Sequence, residues 1–191
     1  MTFISSLENY LVNILIQEKH NYIEREKIVY GVRLILNDFW KVIIIYLIAY
    51  CLNCFTATLI THIVFYMLRQ VCFGFHFQNN IVCLITSIIS LPVGIFFIKS
   101  LNREDNYMLF LAIISTLVLL SFAPIGTKKR PVFNQNHRVF LRKKLFVRLL
   151  ILWTISILLH EDFQYFILYA IVLIAVSILT QKILGGNINE D

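Results

Sequence analysis

The apolar residues of this chain follow two patterns, and the change between them falls near Trp40. In residues 1–38 apolar side chains recur at helical spacing among charged ones, as at Leu7, Leu11 and Tyr30. This spacing predicts two amphipathic helices, which either lie in a membrane interface or pack on a membrane domain. Since the first residues lack a basic start, a compact apolar core and a cleavage site, we expect no removable signal peptide.

Long apolar runs follow from Trp40 onwards. Residues 42–68 contain no charged side chain, and as one helix they would measure about 40 Å against a hydrocarbon core of about 30 Å. The polar break at Asn53 therefore predicts a hairpin of two short spans, 40–53 and 55–69. Further spans are predicted at 81–98, 107–123, 145–159 and 163–181.

Composition and charge give this pattern a membrane setting. The chain is 59% hydrophobic and 15% charged, too apolar for a water-soluble domain of this size. If both termini are cytoplasmic, the outer segments hold only Lys99 and Arg103 of the 17 basic residues. This distribution satisfies the positive-inside rule, which explains the net charge of +6 without a nucleic acid partner.

The predicted fold is thus an all-α, polytopic membrane protein with six transmembrane helices and both termini in the cytoplasm. Residues 1–38 form the amphipathic segment, 39–182 the six-span membrane domain, and 183–191 a short polar tail. Within the membrane domain, the cytoplasmic loop 125–144 is the most basic part of the chain. Its run Lys128-Lys129-Arg130 is either a solvated membrane flank or a docking surface for an acidic peptide.

One pair of side chains in the predicted inner loop has the chemistry of a nucleophile and its base. Cys83 follows His76 by seven residues, and a histidine near neutral pH is suited to deprotonating a thiol. On one straight helix the two would lie about 10 Å apart along the axis, too far for proton transfer. A dyad therefore requires a helix break between them, which Gln78-Asn79-Asn80 would supply.

The break would also place Cys83 in the first turn of the next helix, where the helix dipole favours a thiolate. Gly74 would let the backbone approach a substrate closely. A structural role for the histidine and the cysteine remains the alternative. Asn79, Asn80 and Ser87 are the nearest candidates for orienting His76.

The remaining cysteines carry weaker signals. Cys51 and Cys54 form a C-x-x-C pair that would suit redox chemistry or metal binding. The pair has no second such motif at zinc-site spacing, and we expect no metal or other cofactor. Cys72, between Val71 and Phe73, is predicted to be a packing residue.

Two stretches together resemble a known family. RQVCFGFHFQNNIVCLITS, which contains Arg69, Gly74, His76, Cys83 and Ser87, resembles the R-x4-G-x-H-x6-C-x3-S signature of AgrB, the accessory gene regulator protein B. SFAPIGTKKRPV, residues 121–132, resembles that family's A-P-x-x-T-K-K-x-P segment. The order of these motifs, the chain length and the six-span layout also fit. Phe73 and Phe77 depart from the small residues that many members carry there.

The resemblance implies a cysteine endopeptidase in the cell membrane of a Gram-positive bacterium, acting in quorum sensing at the cytoplasmic face. Its substrate would be a pro-peptide of the AgrD type, with an amphipathic leader, a signal core and an acidic tail. Cys83 and His76 would be catalytic; Arg69, Gly74 and Lys128-Lys129-Arg130 would bind substrate. The enzyme would remove the tail through an acyl thioester and promote closure of a thiolactone ring, and the family suggests a homodimer. The alternative function is a non-enzymatic peptide exporter or membrane adaptor.

Overall fold

The regular secondary structure of this protein is entirely helical in the part of the chain that the structure describes. The structure is a computed structural model, and it describes residues 2–16, 21–75, 79–100, 107–126, 134–159 and 161–184. The helices are α1 Thr2–Leu15, α2 Tyr22–Cys51, α3 Phe55–Cys72, α4 Asn80–Ile88, α5 Gly94–Ser100, α6 Tyr107–Phe122, α7 Gln135–Leu158 and α8 Glu161–Leu184, with a π-helical turn at Ile89–Val93 between α4 and α5. The predicted all-α class is confirmed.

The chain divides into two compact units, Met1–Leu47 and Ile48–Asp191. In the first unit, α2 begins with a reciprocal cap. Asn21 Oδ1 accepts from the Glu24 backbone N–H at 2.9 Å, and Glu24 Oε2 accepts from the Asn21 N–H at 3.0 Å. This capping box satisfies two backbone donors that would otherwise lack a partner at the helix start.

Helix α2 runs without interruption across the predicted boundary between residues 38 and 39. The second amphipathic stretch and the first predicted span are therefore one helix of 30 residues. No proline interrupts this segment, and Asp38 and Lys41 bond at 3.4 Å across the boundary. The change from mixed to apolar side chains near residue 38 therefore does not end the helix.

The second unit is built around α8, which packs against α3, α6 and α7. Its central residues Ile171, Ile174 and Ile178 are fully buried against α3 and α6, in one core with Leu68 and Leu119. Many apolar side chains on the outside of the bundle are exposed, which is expected where the surrounding solvent is lipid.

Polar contacts at the two ends of the bundle establish the directions of the helices. Thr61 donates to the Phe166 carbonyl at 3.2 Å near the starts of α3 and α8, and the Phe75 N–H donates to the Ser177 carbonyl at 3.1 Å near their ends. These two helices are therefore parallel. Lys99, near the end of α5, donates to the Asn53 carbonyl at 3.2 Å, just before α3 begins. Helices α4 and α5 consequently run antiparallel to α3.

The break predicted at Asn53 is present as a turn between two helices. Helix α2 ends at Cys51 and α3 begins at Phe55, while Asn53 adopts a positive φ of 51°. Asparagine tolerates this left-handed conformation better than most residues. The polar break thus marks a turn in the chain.

Pro92 lies inside the third apolar segment and does not end it. The π-helical turn Ile89–Val93 contains Pro92, and the Gly94 N–H bonds the Ile89 carbonyl five residues back. The Tyr169 hydroxyl of α8 donates to the Ser90 carbonyl at 2.7 Å. The wider turn accommodates a residue without an N–H, so the helix continues to Ser100.

Four helical segments among the described residues are long and apolar enough to cross a membrane: Tyr22–Cys51, Phe55–Cys72, Asn80–Ser100 and Phe163–Leu184. Helix α6 is apolar but shorter, with 16 residues. Helix α7 has 24 residues but carries four basic side chains in its N-terminal half, Arg138, Arg142, Lys143 and Lys144, and a fifth, Arg148, just beyond it.

Candidate active site at the basic end of the helices

The helix break required between His76 and Cys83 is present. Helix α3 ends at Cys72, and Phe73 and Gly74 follow with positive φ values of 65° and 81°. Helix α4 then begins at Asn80, capped by Asn79, whose Oδ1 accepts from the Ile81 N–H at 2.9 Å. The break predicted at Gln78-Asn79-Asn80 thus includes a helix cap at Asn79. His76 and Gln78 lie outside the described residues.

The backbone just before His76 is bound from two sides. The Phe75 N–H donates to the Ser177 carbonyl of α8 at 3.1 Å, and Arg69 Nη2 donates to the Phe75 carbonyl at 3.0 Å. The Arg69 guanidinium also lies 5.5 Å from the centre of the Phe65 ring, within range of a cation–π interaction. Both peptide groups of Phe75 are therefore held by α3 and α8.

Gly74 is required by both conformation and space. Its φ of 81° is unfavourable for a residue with a side chain. A Cβ at this position would lie 2.7 Å from Ser177 Oγ and 3.5 Å from Ser177 Cβ. The close approach seen here is to α8; an approach to substrate stays a prediction.

Cys83 lies in the first turn of α4. Its N–H donates to the Asn79 carbonyl at 3.0 Å, the first backbone bond of the helix. The residue is partly exposed, whereas Cys54 and Cys72 are buried. The start of a helix attracts negative charge, the sign that a thiolate carries.

Cys83 and Phe75 line the same pocket, which has a volume of about 200 Å³. Arg69, Leu91, Leu173 and Ser177 also line it. The residue that immediately precedes His76 in the chain thus lines the same pocket as Cys83. The basic run at 128–130 lies outside the described residues.

The side chains of two orienting candidates are engaged within α4. Asn79 caps the helix, and the Ser87 hydroxyl donates to the Cys83 carbonyl at 2.9 Å. Their contacts within the helix give both residues a structural role beside the candidate nucleophile. Whether either one orients His76 stays a prediction, as does the role of Asn80.

The C-x-x-C pair has one exposed and one buried member. Cys51 is exposed, while Cys54 is buried with its sulfur 3.6 Å from the Pro92 carbonyl and 3.6 Å from the Thr58 hydroxyl. Both cysteines are free thiols, and no group of three potential metal ligands occurs among the described residues. Cys54 therefore packs α3 against the π-helical turn.

Basic side chains bind the helix ends around this site. Arg142 Nε donates to the Ala123 carbonyl at 3.2 Å, just after α6. Arg148 donates to the Met67 carbonyl and, at 3.2 Å, to Gln70 Oε1. These cations complement the carbonyl ends of α3 and α6, where the helix dipole is negative.

Sequence reasoning overlooked Ser177 and Arg148. Ser177 lies in an apolar run without any local signal, because its contacts are with residues about a hundred positions earlier. Arg148 did offer a signal, since it is the one charged residue in the predicted span 145–159. A charge at that position in a membrane helix indicates a polar partner on a neighbouring helix.

In the residues that the structure describes, these features define a helical membrane protein with a pocket, lined in part by Cys83, at the basic ends of its helices. The model of the family Accessory gene regulator B matches residues 8–183, and the chain therefore belongs to the AgrB family. This is a family of accessory gene regulators in quorum sensing.

Known relatives agree with the assignment. The chain is 32% identical over 168 residues to Accessory gene regulator protein B of Staphylococcus aureus strain MW2, covering 86% of this chain and 88% of the relative. It is 29% identical over 163 residues to the protein of that name from Staphylococcus saprophyticus, covering 84% and 86%. No solved structure matches the chain.

Proposed function

We propose that this protein is a membrane cysteine endopeptidase that removes the C-terminal tail of an AgrD-type pro-peptide and promotes closure of a thiolactone ring. Cys83 is the nucleophile and His76 the base. The observation that carries the proposal is the pocket that Cys83 shares with Phe75, the neighbour of His76. The backbone there is held by Arg69 and Ser177, which restricts where the next residue can lie.

The proposed reaction has two acyl transfers. His76 takes the Cys83 proton, and the thiolate attacks the carbonyl that joins the core to the tail. The carbon–nitrogen bond breaks, the tail amine leaves with the proton from His76, and a thioester to Cys83 remains. A core thiolate then attacks this thioester, the ring closes, and the Cys83 thiolate is released. Exclusion of water favours ring closure over hydrolysis.

Arg69 has a positioning role in this scheme. Its guanidinium bonds the Phe75 carbonyl, so it fixes the segment that leads to His76. The acidic tail is attracted instead by Lys128, Lys129 and Arg130, in the basic loop. We further propose that the pro-peptide leader lies in the same membrane interface as residues 1–38.

The proposed membrane arrangement has six spans, with the active site and both termini at the cytoplasmic face of the cell membrane. Its support is the alternation of helix direction and of charge. In the described part of the second unit, Lys99 is the one basic side chain at the end of the bundle away from Cys83, and the acids are Glu161 and Asp162, in the first turn of α8. The other basic residues belong to the end of the bundle where Cys83 lies, as the positive-inside rule requires of a cytoplasmic face. We expect a homodimer.

The test uses purified protein in lipid vesicles with a synthetic pro-peptide, and mass spectrometry to follow tail release. We expect release by the wild type and by Cys72→Ala, the matched thiol control. Cys83→Ala and His76→Ala should each abolish it. Tail release that survives both catalytic substitutions would refute the proposal, and a wild type that binds the pro-peptide without cleaving it would favour an adaptor or exporter.

A further inference from the structure

The residues that line the pocket beside Cys83 indicate the kind of ligand group that it binds. Its volume is about 200 Å³, and its lining surface is mainly apolar. Phe65, Leu91, Leu173 and Val176 supply this surface from α3, the π-helical turn and α8. A pocket of this size accommodates one large side chain but not a folded peptide.

The polar groups of the pocket are largely committed to the protein itself. Thr86 donates to the Val82 carbonyl at 2.8 Å, and Thr180 to the Val176 carbonyl at 2.8 Å. Each threonine hydrogen is thus used on the preceding turn of its own helix. The wall therefore offers few donors to a polar ligand.

The charges in the pocket also disfavour a charged ligand. Among the described residues that line it, Arg69 is the one charged side chain, and it bonds the Phe75 carbonyl. These described residues include no carboxylate that would neutralise a cationic ligand. Burying an unpaired charge in such surroundings is costly.

From these walls we infer that the pocket is the subsite for an apolar side chain of the residue whose carbonyl is transferred to Cys83. This inference rests on the proposed function, because it takes Cys83 as the nucleophile. When that carbonyl lies at the thiol, the side chain of the same residue is the substrate group nearest the pocket. The pocket thus selects the last residue of the signal core.

Substrate variants test the chemistry of the subsite. Synthetic pro-peptides that differ only at the residue before the cleaved bond are compared by kcat/KM in vesicles. We expect leucine and phenylalanine to be cleaved well and aspartate to be slower by roughly 100-fold or more. Equal rates for leucine and aspartate would overturn the inference, while leaving the endopeptidase itself intact.

Protein variants test the location of the subsite. Leu173→Phe should fill the pocket and lower the ratio of kcat/KM for phenylalanine over alanine substrates by about 10-fold or more. Leu179→Phe is the matched control, since Leu179 is a partly buried leucine of α8 outside the pocket lining. Val176→Phe, at an exposed pocket residue, should change the ratio in the same direction without disturbing the core.

The failure of this inference is distinguishable from failure of the proposed function. If the two pocket variants and the control give the same ratio, the pocket is not the subsite. If no pro-peptide is cleaved in a Cys83-dependent way, the endopeptidase proposal fails and the inference fails with it.

Discussion

The tight contact between Gly74 and Ser177 makes a quantitative prediction. In Gly74→Ala the new Cβ would lie 2.7 Å from Ser177 Oγ and 3.5 Å from Ser177 Cβ. Overpacking of this kind costs about 1–3 kcal/mol, and the left-handed backbone of residue 74 adds about 1–2 kcal/mol for any side chain. We expect the segment leading to His76 to shift, and kcat/KM for tail release to fall by at least roughly 10-fold.

A double-mutant cycle separates the two costs. Ser177→Ala removes the oxygen at 2.7 Å and leaves the carbon at 3.5 Å, an ordinary contact distance. The Ser177 carbonyl, which binds Phe75, is kept. The Gly74→Ala/Ser177→Ala protein should therefore regain about 1–3 kcal/mol, while the backbone strain persists.

The assay is kcat/KM for pro-peptide cleavage in vesicles, measured for both single variants, the double variant and the wild type. Gly31→Ala is the glycine control. A Cβ at this position of α2 meets nothing within 4 Å, and alanine in a helix should stabilise it by about 0.5–1 kcal/mol. Full activity of Gly74→Ala, or a double variant no better than that single variant, would refute the reasoning.

Two further predictions concern the helices around the site. Tyr169→Phe removes the 2.7 Å bond to the Ser90 carbonyl, and we expect the free energy of unfolding in detergent to fall by about 0.5–1.5 kcal/mol; no change would mean that the π-helical turn does not depend on this bond. In proteins that retain a single cysteine, Cys83 should react with a maleimide much faster than Cys72, because Cys83 is partly exposed and Cys72 is 0% exposed. Equal labelling rates, followed by mass spectrometry, would contradict the burial described for the two thiols.

The features that the sequence predicted correctly are those with local causes. The turn at Asn53 and the helix break at Asn79 follow from asparagine's preference for turns and helix caps, and both are present. The break between His76 and Cys83 was predicted because proton transfer needs short distances. Each of these features depends on a few neighbouring residues and on their known conformational or chemical preferences.

The features that sequence reasoning missed depend on packing between distant segments. The union of the second amphipathic stretch and the first span in one helix was not predicted, because a change from mixed to apolar side chains does not show whether a helix ends there. Ser177 binds the Phe75 N–H with its backbone carbonyl. Every residue has this group, so the sequence gives no indication of the contact. The predicted span 81–98 runs through Pro92 as the structure does, but the π-helical turn that accommodates the proline was not predicted.

The central claim is that Cys83 carries the acyl group, and the intact mass of the protein tests it most directly. A pro-peptide whose core cysteine is replaced by alanine cannot close a thiolactone, so the acyl-enzyme should accumulate. We predict a protein heavier by the mass of the leader and core, with the adduct at Cys83 and released by hydroxylamine. Tail release without any adduct on Cys83, or with the adduct on another residue, would contradict the account.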